Sequence, residues 1–363
     1  MKVGIDAHVL GTRAGGNETY MRDLLRALYS HRGDTEVVPF VHPDYAGDAA
    51  GFAPWPLPVR SSYLRVPWFL SRAARQSGVD VLHVQYTAPP VSPCPYIVSM
   101  HDIVALRFPD SMPVMDRYRL RLLSGRTLRN AARVFVLTAA MRDEIAGAYG
   151  VPLERFDLVQ PYVAAQFRPV SESACEAVRK KYGIRGPYVL HVGLLHPRKN
   201  LEGLARAFAS LSREGCAHTL VVVGPKGWMY GGLVRRINAL GLGERLHFTG
   251  YVERADLPAL YAAADVFAYV SAYEGFGIPV LEALACGTPV LASTDPALCE
   301  VTGGGAVHVP HQDDQAIAQG LRQLLEDPRL RAELREAGIK RAAEFTPGAM
   351  ARAALAGYRK ALA

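Results

Sequence analysis

The chain has 363 residues, half of them hydrophobic, and a formal net charge of +7. Its length allows two domains with full cores, and its composition is that of a globular protein with no sign of disorder. Five scattered cysteines without a C-x-x-C pair argue against a zinc site or disulfide framework and favour a reducing, cytoplasmic setting. No run approaches the ~18 apolar residues of a membrane span, and Met1–Leu10 lacks the apolar core of a signal peptide.

The first half of the chain alternates short apolar runs, typical of buried strands, with longer stretches of helical periodicity. Strands are predicted at Val3–Val9, Val37–Val41, Val79–Val84, Tyr96–His101, Val134–Thr138 and Phe156–Gln160. Helices are predicted at Thr19–Ser30, Tyr63–Gln76, Val114–Asn130 and Ala140–Tyr149. Such alternation predicts a parallel sheet with helices on both faces.

The alternation lapses over Pro161–Ser173, which we interpret as a linker, and then resumes. Strands are predicted at Tyr188–Val192, Thr219–Val223, Arg245–Phe248, Asp265–Val270, Pro289–Ala292 and Ala306–Val309. Helices are predicted at Leu201–Arg213, Leu233–Leu240, Asp256–Ala262, Ile278–Ala285, Asp313–Glu326, Pro328–Glu344 and Pro347–Leu362. We therefore expect an α/β protein with two doubly wound, Rossmann-like domains, residues 1–168 and 169–346, facing each other across a ligand-binding cleft.

The most informative stretch is Tyr273–Thr294, Y-E-G-F-G-I-P-V-L-E-A-L-A-C-G-T-P-V-L-A-S-T. Gly275 and Gly277 bracket a tight turn between a predicted strand and a predicted helix. Such a turn presents backbone N–H groups and the positive end of a helix dipole, which suits a phosphate. Because carboxylates repel phosphate, we expect Glu274 and Glu282, which flank the turn, to accept hydrogen bonds from hydroxyls beside it. Phosphates with hydroxyls on both sides predict a nucleotide sugar.

A second candidate site is the stretch His191–Asn200, H-V-G-L-L-H-P-R-K-N, at the first strand-to-helix turn of the second half. Arg198 and Lys199 there add two cations to the start of a helix, a favourable arrangement for a pyrophosphate. The alternative is a solvated surface pair.

Two features of the first half also stand where strands end. The loop Gly11–Asn17, G-T-R-A-G-G-N, would let backbone approach a phosphate or a sugar. Its spacing is not G-x-G-x-x-G, so a dinucleotide site is poorly supported and a plain flexible loop is the alternative. His101, followed by Asp102, leaves a predicted strand at its carboxyl end, where it could hydrogen-bond a sugar hydroxyl or a phosphate. The alternative is a structural histidine.

The stretch Arg117–Arg133 carries six arginines and no acid, interleaved with leucines. A basic amphipathic helix can dock on anionic lipid, and the alternative is an ordinary solvated helix face. The basic residues of the chain are otherwise dispersed and form no aromatic-basic platform, so we expect no nucleic-acid partner.

Several motifs are absent from the sequence, namely D-x-D, G-x-x-x-x-G-K-[ST] and H-E-x-x-H. We therefore expect no catalytic metal and no cofactor. Arg198, Lys199 and backbone dipoles would neutralise the phosphates instead.

With these residues assembled, the chain resembles the family-4 retaining glycosyltransferases of the GT-B fold. The resemblance rests on the E-x7-E pair Glu274 and Glu282 within E-G-F-G-I-P-V-L-E-A, on the downstream A-C-G-T-P-V, on P-R-K-N and on the N-terminal glycine loop. It implies that residues 1–168 bind the acceptor, that residues 169–346 bind the nucleotide sugar, and that residues 347–363 cross back onto the first domain. It also implies metal-independent sugar transfer with retention of anomeric configuration.

By that resemblance, Glu282 holds the ribose hydroxyls, Glu274 binds the donor sugar ring, and His101 lies near that sugar. Arg198 and Lys199 stabilise the leaving diphosphate, where charge develops in the transition state. The other implied binding residues are Gly275, Phe276, Gly277 and Ile278 for sugar and phosphates, Gly15 and Gly16 for diphosphate and acceptor, and Gly224, Tyr251 and Val252 for the base.

Two departures from the family pattern are visible. Leu194 stands where many relatives have the arginine of G-R-L-x-x-x-K, so Arg198 is a candidate substitute. Gln160-Pro161-Tyr162-Val163 stands where relatives often have N-G-V, which leaves interdomain and acceptor contacts there open.

The subgroup with V-G-x-L-x-P-R-K-N and H-D-x-x-x-L-R-F-P resembles bacterial mannosyl- and rhamnosyltransferases of polysaccharide assembly, and His101–Pro109 fits it. We therefore expect GDP-mannose as donor and a glycan, lipid-linked or small-molecule acceptor, in the cytoplasm or at the inner face of the membrane. The alternatives are a non-catalytic nucleotide-sugar-binding protein and a GT-B sugar epimerase. An epimerase would need acid–base groups on the sugar, and only His101 and Asp102 offer themselves.

Overall fold

The computed structural model describes residues 1–12, 15–109, 114–224 and 230–363. Two compact units emerge, the first comprising Met1–Tyr162 with Phe345–Ala363 and the second comprising Val163–Glu344. The predicted boundaries, after residues 168 and 346, lie slightly further along the chain. Arg13 and Ala14, part of the predicted glycine loop, lie outside the described residues.

The first unit contains a seven-stranded parallel sheet in the order β3-β2-β1-β4-β5-β6-β7. Its strands are β1 (Lys2–Asp6), β2 (Glu36–Val41), β3 (Trp55–Pro56), β4 (Val81–Gln85), β5 (Tyr96–Ser99), β6 (Arg133–Val136) and β7 (Phe156–Leu158). The central strand β4 is buried along its whole length, as expected for a parallel sheet covered on both faces.

The covering helices of the first unit are α1 (Gly16–His31), α2 (Ser62–Leu64), α3 (Ser71–Ser77), α4 (Val104–Arg107), α5 (Val114–Asn130) and α6 (Ala139–Tyr149). The stretch predicted as one helix from Tyr63 to Gln76 is interrupted, because Arg65–Leu70 forms π-helical turns between α2 and α3. Proline 67, which lacks an N–H, lies inside this interruption. A 3₁₀ turn at Leu153–Arg155 precedes β7.

The second unit contains a six-stranded parallel sheet in the order β10-β9-β8-β11-β12-β13. Its strands are β8 (Tyr188–Val192), β9 (Thr219–Val223), β10 (Leu246–Gly250), β11 (Val266–Tyr269), β12 (Val290–Ser293) and β13 (Ala306–Val309). Strand order reverses between β8 and β11, so the loops after these two strands lie side by side at the topological switch point.

The helices of the second unit are α7 (Glu172–Lys181), α8 (Leu201–Arg213), α9 (Tyr230–Asn238), α10 (Leu257–Ala262), α11 (Ile278–Ala285), α12 (Pro296–Thr302), α13 (Asp314–Glu326) and α14 (Pro328–Ala342). Short 3₁₀ turns lie at Pro197–Lys199 and Gly243–Arg245. The large core around Phe208, Leu220 and Leu291 packs α8 and α13 against this sheet.

The last helix, α15 (Pro347–Lys360), belongs to the first unit, as predicted. It packs against α1, β6 and β7. Its fully buried Tyr358 lies with Oη 2.8 Å from Nδ1 of His83 on β4. Gly357 is required there, because a Cβ would lie 2.3 Å from the ring of Phe135. The C-terminal segment is therefore part of the core of the first unit.

Candidate functional site

A buried cluster of ionisable side chains lies at the switch point of the sheet in the second unit. The loop after β8 carries Arg198 and Lys199, and the loop after β11 carries Glu274. The backbone joins the two loops, since the amide of Ala272 donates to the carbonyl of Arg198 at 2.8 Å. Residues 75 positions apart thus share one edge of the sheet, where ligands of open α/β sheets bind.

Lys199 and Glu274 form a buried ion pair. Nζ of Lys199 donates to Oε1 of Glu274 and to the Tyr269 hydroxyl, both at 2.6 Å. The guanidinium of Arg198 lies 3.3 Å from Oε2 of Glu274 and donates to the carbonyl of Tyr273 at 2.5 Å. Two cations therefore hold one carboxylate in a fixed position.

The charge state of this cluster follows from its pKa shifts. Burial alone would raise the pKa of Glu274, but Lys199 and then Arg198 outweigh it and lower the pKa to about 2. Glu274 is therefore ionised at neutral pH, and two cations contact it at the edge of the sheet. Such a site suits an anion.

Two further side chains, His191 and Asp295, contact residues of this cluster. The ring of His191 stacks on Tyr269 with centroids 5.9 Å apart, and its Nδ1 lies 3.0 Å from the carbonyl of Ala268. Burial lowers the pKa of His191 to about 4, so it stays neutral. Asp295 caps α12 and accepts the amide of Glu274 at 3.2 Å. Burial raises the pKa of Asp295 to about 6, despite the amides that it accepts.

The glycine turn after Glu274 is sterically required at Gly277. This residue has φ of +91°, and a Cβ would lie 2.5 Å from Cδ2 of Leu298. Gly277 precedes α11 and supplies no side-chain cap, so no side chain of this residue covers the backbone N–H groups at the start of that helix. Gly275 and Phe276 are buried, whereas Ile278 is half-buried. The phenyl ring of Phe276 therefore belongs to the hydrophobic core. The predicted binding role of Phe276 applies to its backbone.

Glu282, the second predicted carboxylate, is the fifth residue of α11 and is buried. Its Oε2 accepts the Tyr261 hydroxyl at 3.1 Å, and the guanidinium of Arg254 lies 3.5 Å from its Oε1. Arg254 also lies over the ring of Phe167, 5.3 Å from its centroid. A carboxylate held between a phenol and a guanidinium keeps oxygen lone pairs that can accept hydroxyls.

Gly224, Tyr251 and Val252 meet at the edge formed by β9 and β10. The amide of Gly224 donates to the carbonyl of Gly250 at 3.0 Å. Gly224 has φ of +150°, and a Cβ would lie 1.9 Å from the carbonyl oxygen of Gly193. Tyr251 is exposed and Val252 is buried. The side chain of Tyr251 can therefore contact a ligand, whereas that of Val252 cannot.

In the first unit, the structure brings His101 to the start of α1. Nδ1 of His101 lies 2.9 Å from Oδ1 of Asn17, and the ring packs edge-on against Tyr20 and Tyr86. Burial lowers the pKa of His101 to about 3, so the imidazole is neutral, donates from Nδ1 and keeps a lone pair on Nε2. Nε2 is buried and has no hydrogen-bond partner among the described residues.

The predicted glycines Gly15 and Gly16 lie immediately before Asn17. Gly15 precedes α1 with φ of +62° and ψ of −128°, a conformation that glycine alone adopts readily, and contributes no side-chain cap. Gly16 is the first residue of the helix. His101 and the glycine loop therefore form one polar site in this unit.

Tyr261, Arg254, Asp295 and Tyr269 were not predicted as site residues, whereas Asn17 was predicted only as the end of the glycine loop. Asp295 had a signal in the sequence, because S-T-D-P-A places an N-cap residue before a proline. Tyr261 and Arg254 had none, since their contact with Glu282 depends on how α10 packs against α11.

Among the described ranges, no group of three or more His, Cys, Asp or Glu side chains could hold a metal ion. Within the same ranges, no helix combines the length and the apolarity needed to span a bilayer.

Comparisons with known proteins define the class. The model "Glycosyltransferase Family 4" matches residues 14–167, and the model "Glycosyl transferases group 1" matches residues 175–341. The sucrose-phosphate synthase of Thermosynechococcus elongatus has the same fold, with a TM-score of 0.82 and 21% identity over 99% of this chain and 98% of that one. The chain belongs to glycosyltransferase family 4 and has the GT-B fold.

The names of two relatives refer to mannosyl groups. The O-antigen chain mannosyltransferase B of Escherichia coli is 32% identical over 253 residues, 69% of this chain and 66% of the relative. The mannosylfructose-phosphate synthase of Agrobacterium fabrum is 32% identical over 173 residues, 46% of this chain and 38% of the relative. Both matches leave a third or more of the relative's length uncovered.

Proposed function

We propose that the protein is a retaining glycosyltransferase that moves a hexosyl unit from a nucleotide-diphosphate sugar to a hydroxyl of an acceptor. The observation that carries this proposal is the buried cluster of Arg198, Lys199 and Glu274. Its two cations, Arg198 and Lys199, lie beside the glycine turn that opens α11. Family membership supports the same activity.

The donor site follows from the charges. Arg198, Lys199 and the amide-rich turn at Gly275–Ile278 would bind the diphosphate, since both supply hydrogen-bond donors and positive potential. Glu282, already positioned by Tyr261 and Arg254, would accept the two ribose hydroxyls. Glu274 would accept hydroxyls of the sugar ring, because its depressed pKa keeps it ionised. Gly224 and Tyr251 would lie against the base.

Transfer would then depend on charge stabilisation and positioning. As the bond between the anomeric carbon and the diphosphate breaks, negative charge grows on the leaving phosphate, where Arg198 and Lys199 stabilise it. The acceptor hydroxyl attacks on the same face and passes its proton to that phosphate, so configuration is retained. Nε2 of the neutral His101 would accept a hydrogen bond from a sugar hydroxyl. Metal ions have no part in this scheme.

We further propose mannose, carried by GDP, as the transferred group. Two relatives with 32% identity are named for mannosyl transfer or for a mannosyl product. The segments H-D-I-V-A-L-R-F-P and V-G-L-L-H-P-R-K-N, which resemble the mannosyl- and rhamnosyltransferase subgroup, support the same donor. A glycan of surface polysaccharide, lipid-linked or free, is the proposed acceptor.

A thermal-shift panel in EDTA tests the donor site. It compares GDP-mannose, UDP-glucose, UDP-N-acetylglucosamine, dTDP-rhamnose and the free diphosphates on the wild type, on Glu282→Gln and on the control Glu336→Gln. Glu336 is an exposed carboxylate of α14. A ligand at about 100 times its Kd stabilises the folded state by ~2.7 kcal/mol. We expect GDP-mannose to raise the Tm of the wild type and control, and Glu282→Gln to lose most of the shift.

Transfer is tested with the donor that binds and a mannose-terminated oligosaccharide, with proton NMR of the product's anomeric signal. An α-linked product from the α-configured donor supports retention. A β-linked product contradicts it. Donor binding without transfer to any acceptor would favour the non-catalytic role, and a changed sugar on the recovered nucleotide would favour the epimerase.

A further inference from the structure

Helix α5 of the first unit exposes an apolar stripe. Ser124, Thr127 and Leu128 face the interior, whereas Met115, Tyr118 and Leu122 are 73%, 59% and 72% exposed. At about 100° per residue, the three exposed side chains fall within a ~60° arc opposite Ser124. Large apolar side chains grouped on one exposed helix face mark a contact surface.

Arginines continue the same face toward the C-terminus of the helix. Arg126 and Arg129 project, by the same angular spacing of about 100° per residue, in line with Met115 and Leu122. Residues 114–130 contain five arginines and one aspartate, so the segment carries a formal charge of 5 − 1 = +4. Of the described residues, no carboxylate pairs with Arg121, Arg126 or Arg129.

A neighbouring loop extends this surface. Arg126 donates to the carbonyl of Pro90 at 3.2 Å, and the hydroxyl of Ser71 donates to the carbonyl of Val91 at 2.8 Å. Val91 therefore lies between α5 and α3 and is 68% exposed. Trp68, one helical turn before Ser71, is 70% exposed. Tryptophan and tyrosine beside arginine are the side chains that sit at a lipid–water interface.

We propose that this surface, formed by Met115, Tyr118, Leu122, Arg126 and Arg129 of α5 with Val91 and Trp68, docks the first unit on an anionic membrane. The apolar side chains enter the headgroup boundary, and the arginines pair with lipid phosphates. Charge complementarity selects this partner, because the arginines of this surface repel another basic chain but attract a negative leaflet. The docking places the enzyme beside membrane-borne acceptors and goes beyond the proposed sugar transfer.

Vesicle sedimentation tests the docking surface. Phosphatidylcholine vesicles are compared with vesicles of phosphatidylcholine and phosphatidylglycerol in equal parts, at low and at high salt. The variants are Arg126→Gln/Arg129→Gln and Tyr118→Ser/Leu122→Ser. The matched control, Arg329→Gln/Lys340→Gln, removes the same charge from α14 in the second unit.

The wild type and the control should bind the anionic vesicles at low salt and lose binding at high salt. At about 1 kcal/mol per arginine, the arginine pair should lower the partition coefficient roughly 30-fold. Loss of the tyrosine and the leucine should lower it at least ~10-fold. Brominated phosphatidylcholine should quench the tryptophan fluorescence of the wild type, and Trp68→Phe should lose that quenching.

Three results would overturn the proposal. The first is equal binding of both vesicle types, and the second is an equal loss of binding in the arginine variant and in its control. The third is a wild-type dimer that the apolar variant converts to a monomer, with no vesicle binding, which would make this face an interface between copies of the chain.

Discussion

The buried pair of Lys199 and Glu274 predicts a measurable coupling between two residues 75 positions apart. Lys199→Met removes the cation that lies 2.6 Å from Oε1 of Glu274 and leaves Arg198, at 3.3 Å, as the remaining partner. Breaking a buried ion pair from one side typically costs 3–5 kcal/mol, because the other charge stays buried. Since Arg198 remains, we expect about 3 kcal/mol at pH 7 from urea unfolding.

The double variant Lys199→Met/Glu274→Gln separates this cost from simple loss of packing. Once Glu274 is neutral, no uncompensated carboxylate remains, so the lysine substitution should cost about 2 kcal/mol less in that background. Lys181→Met is the control. It removes a lysine that contacts Asp256 at 2.6 Å on the surface, where solvent screens the pair, and stability should change little.

The same pair makes stability depend on pH. The pKa of Glu274 is about 2 when folded, against an ordinary value of 4.5, a difference equivalent to about 3 kcal/mol. A depressed carboxyl pKa stabilises the fold above pH 4.5, and this stabilisation is lost as pH falls from 4.5 through 2. The penalty of Lys199→Met should therefore shrink over that range. The reasoning would be refuted if Lys199→Met lowered the free energy of unfolding equally with and without Glu274. A loss that did not change with pH would also refute it.

The remaining predictions concern His101, Gly224 and Tyr358. The pKa of His101 is about 3 in the folded protein, against an ordinary value of 6.5. As pH drops below 6.5, the unfolded chain takes up a proton that the folded protein does not, so the free energy of unfolding falls. In His101→Gln this fall should be shallower down to about pH 4. Gly224→Ala should destabilise the protein by more than ~3 kcal/mol, because the new methyl meets the carbonyl of Gly193, which cannot move aside as a side chain can. Tyr358→Phe should cost about 1–3 kcal/mol, since Nδ1 of the buried His83 loses its partner.

Urea unfolding across pH measures all three. The control for the glycine is Gly147→Ala, at a position in α6 where a Cβ meets no atom within 4 Å. It should stabilise the helix by about 0.5–1 kcal/mol. Parallel pH curves for His101→Gln and wild type, or a mild effect of Gly224→Ala, would contradict the structure.

The two-sheet architecture was predictable because its strands are apolar runs separated by helical periodicity. Tyr188–Val192 and Ala306–Val309, for instance, end where the sequence predicts. The two-residue strand Trp55–Pro56 was missed, because it is exposed and contains a proline. Helix Glu172–Lys181 was missed, since only Cys175 and Val178 on it are buried, and its first two residues lie within the predicted linker.

The residues of the candidate cluster could be named from the sequence, but their contact with one another could not be predicted. Glycine spacing and strand ends pointed to Arg198, Lys199 and Glu274 separately, with phosphate and sugar as their targets. Their contact depends on strand order, because only the adjacency of β8 and β11 brings the two loops together. No local pattern encodes that adjacency.

The predicted strand Val3–Val9 also ends early, at Asp6. Apolar residues continue beyond it, but the chain turns there, with the amide of Leu10 donating to the carbonyl of Ala7. A buried turn and a buried strand have the same composition, so hydrophobicity alone could not place the boundary.

The position of α15 sets an order of maturation for the nascent chain. Tyr358, which completes the hydrogen bonding of His83 in the first unit, follows the whole second unit in the sequence. The second unit, Val163–Glu344, is fully synthesised before that residue emerges. The first unit can therefore be completed only after the second unit has been synthesised, although N-terminal domains usually fold first. A premature stop just after Glu344 would release a chain with a complete second unit and an unfinished first one.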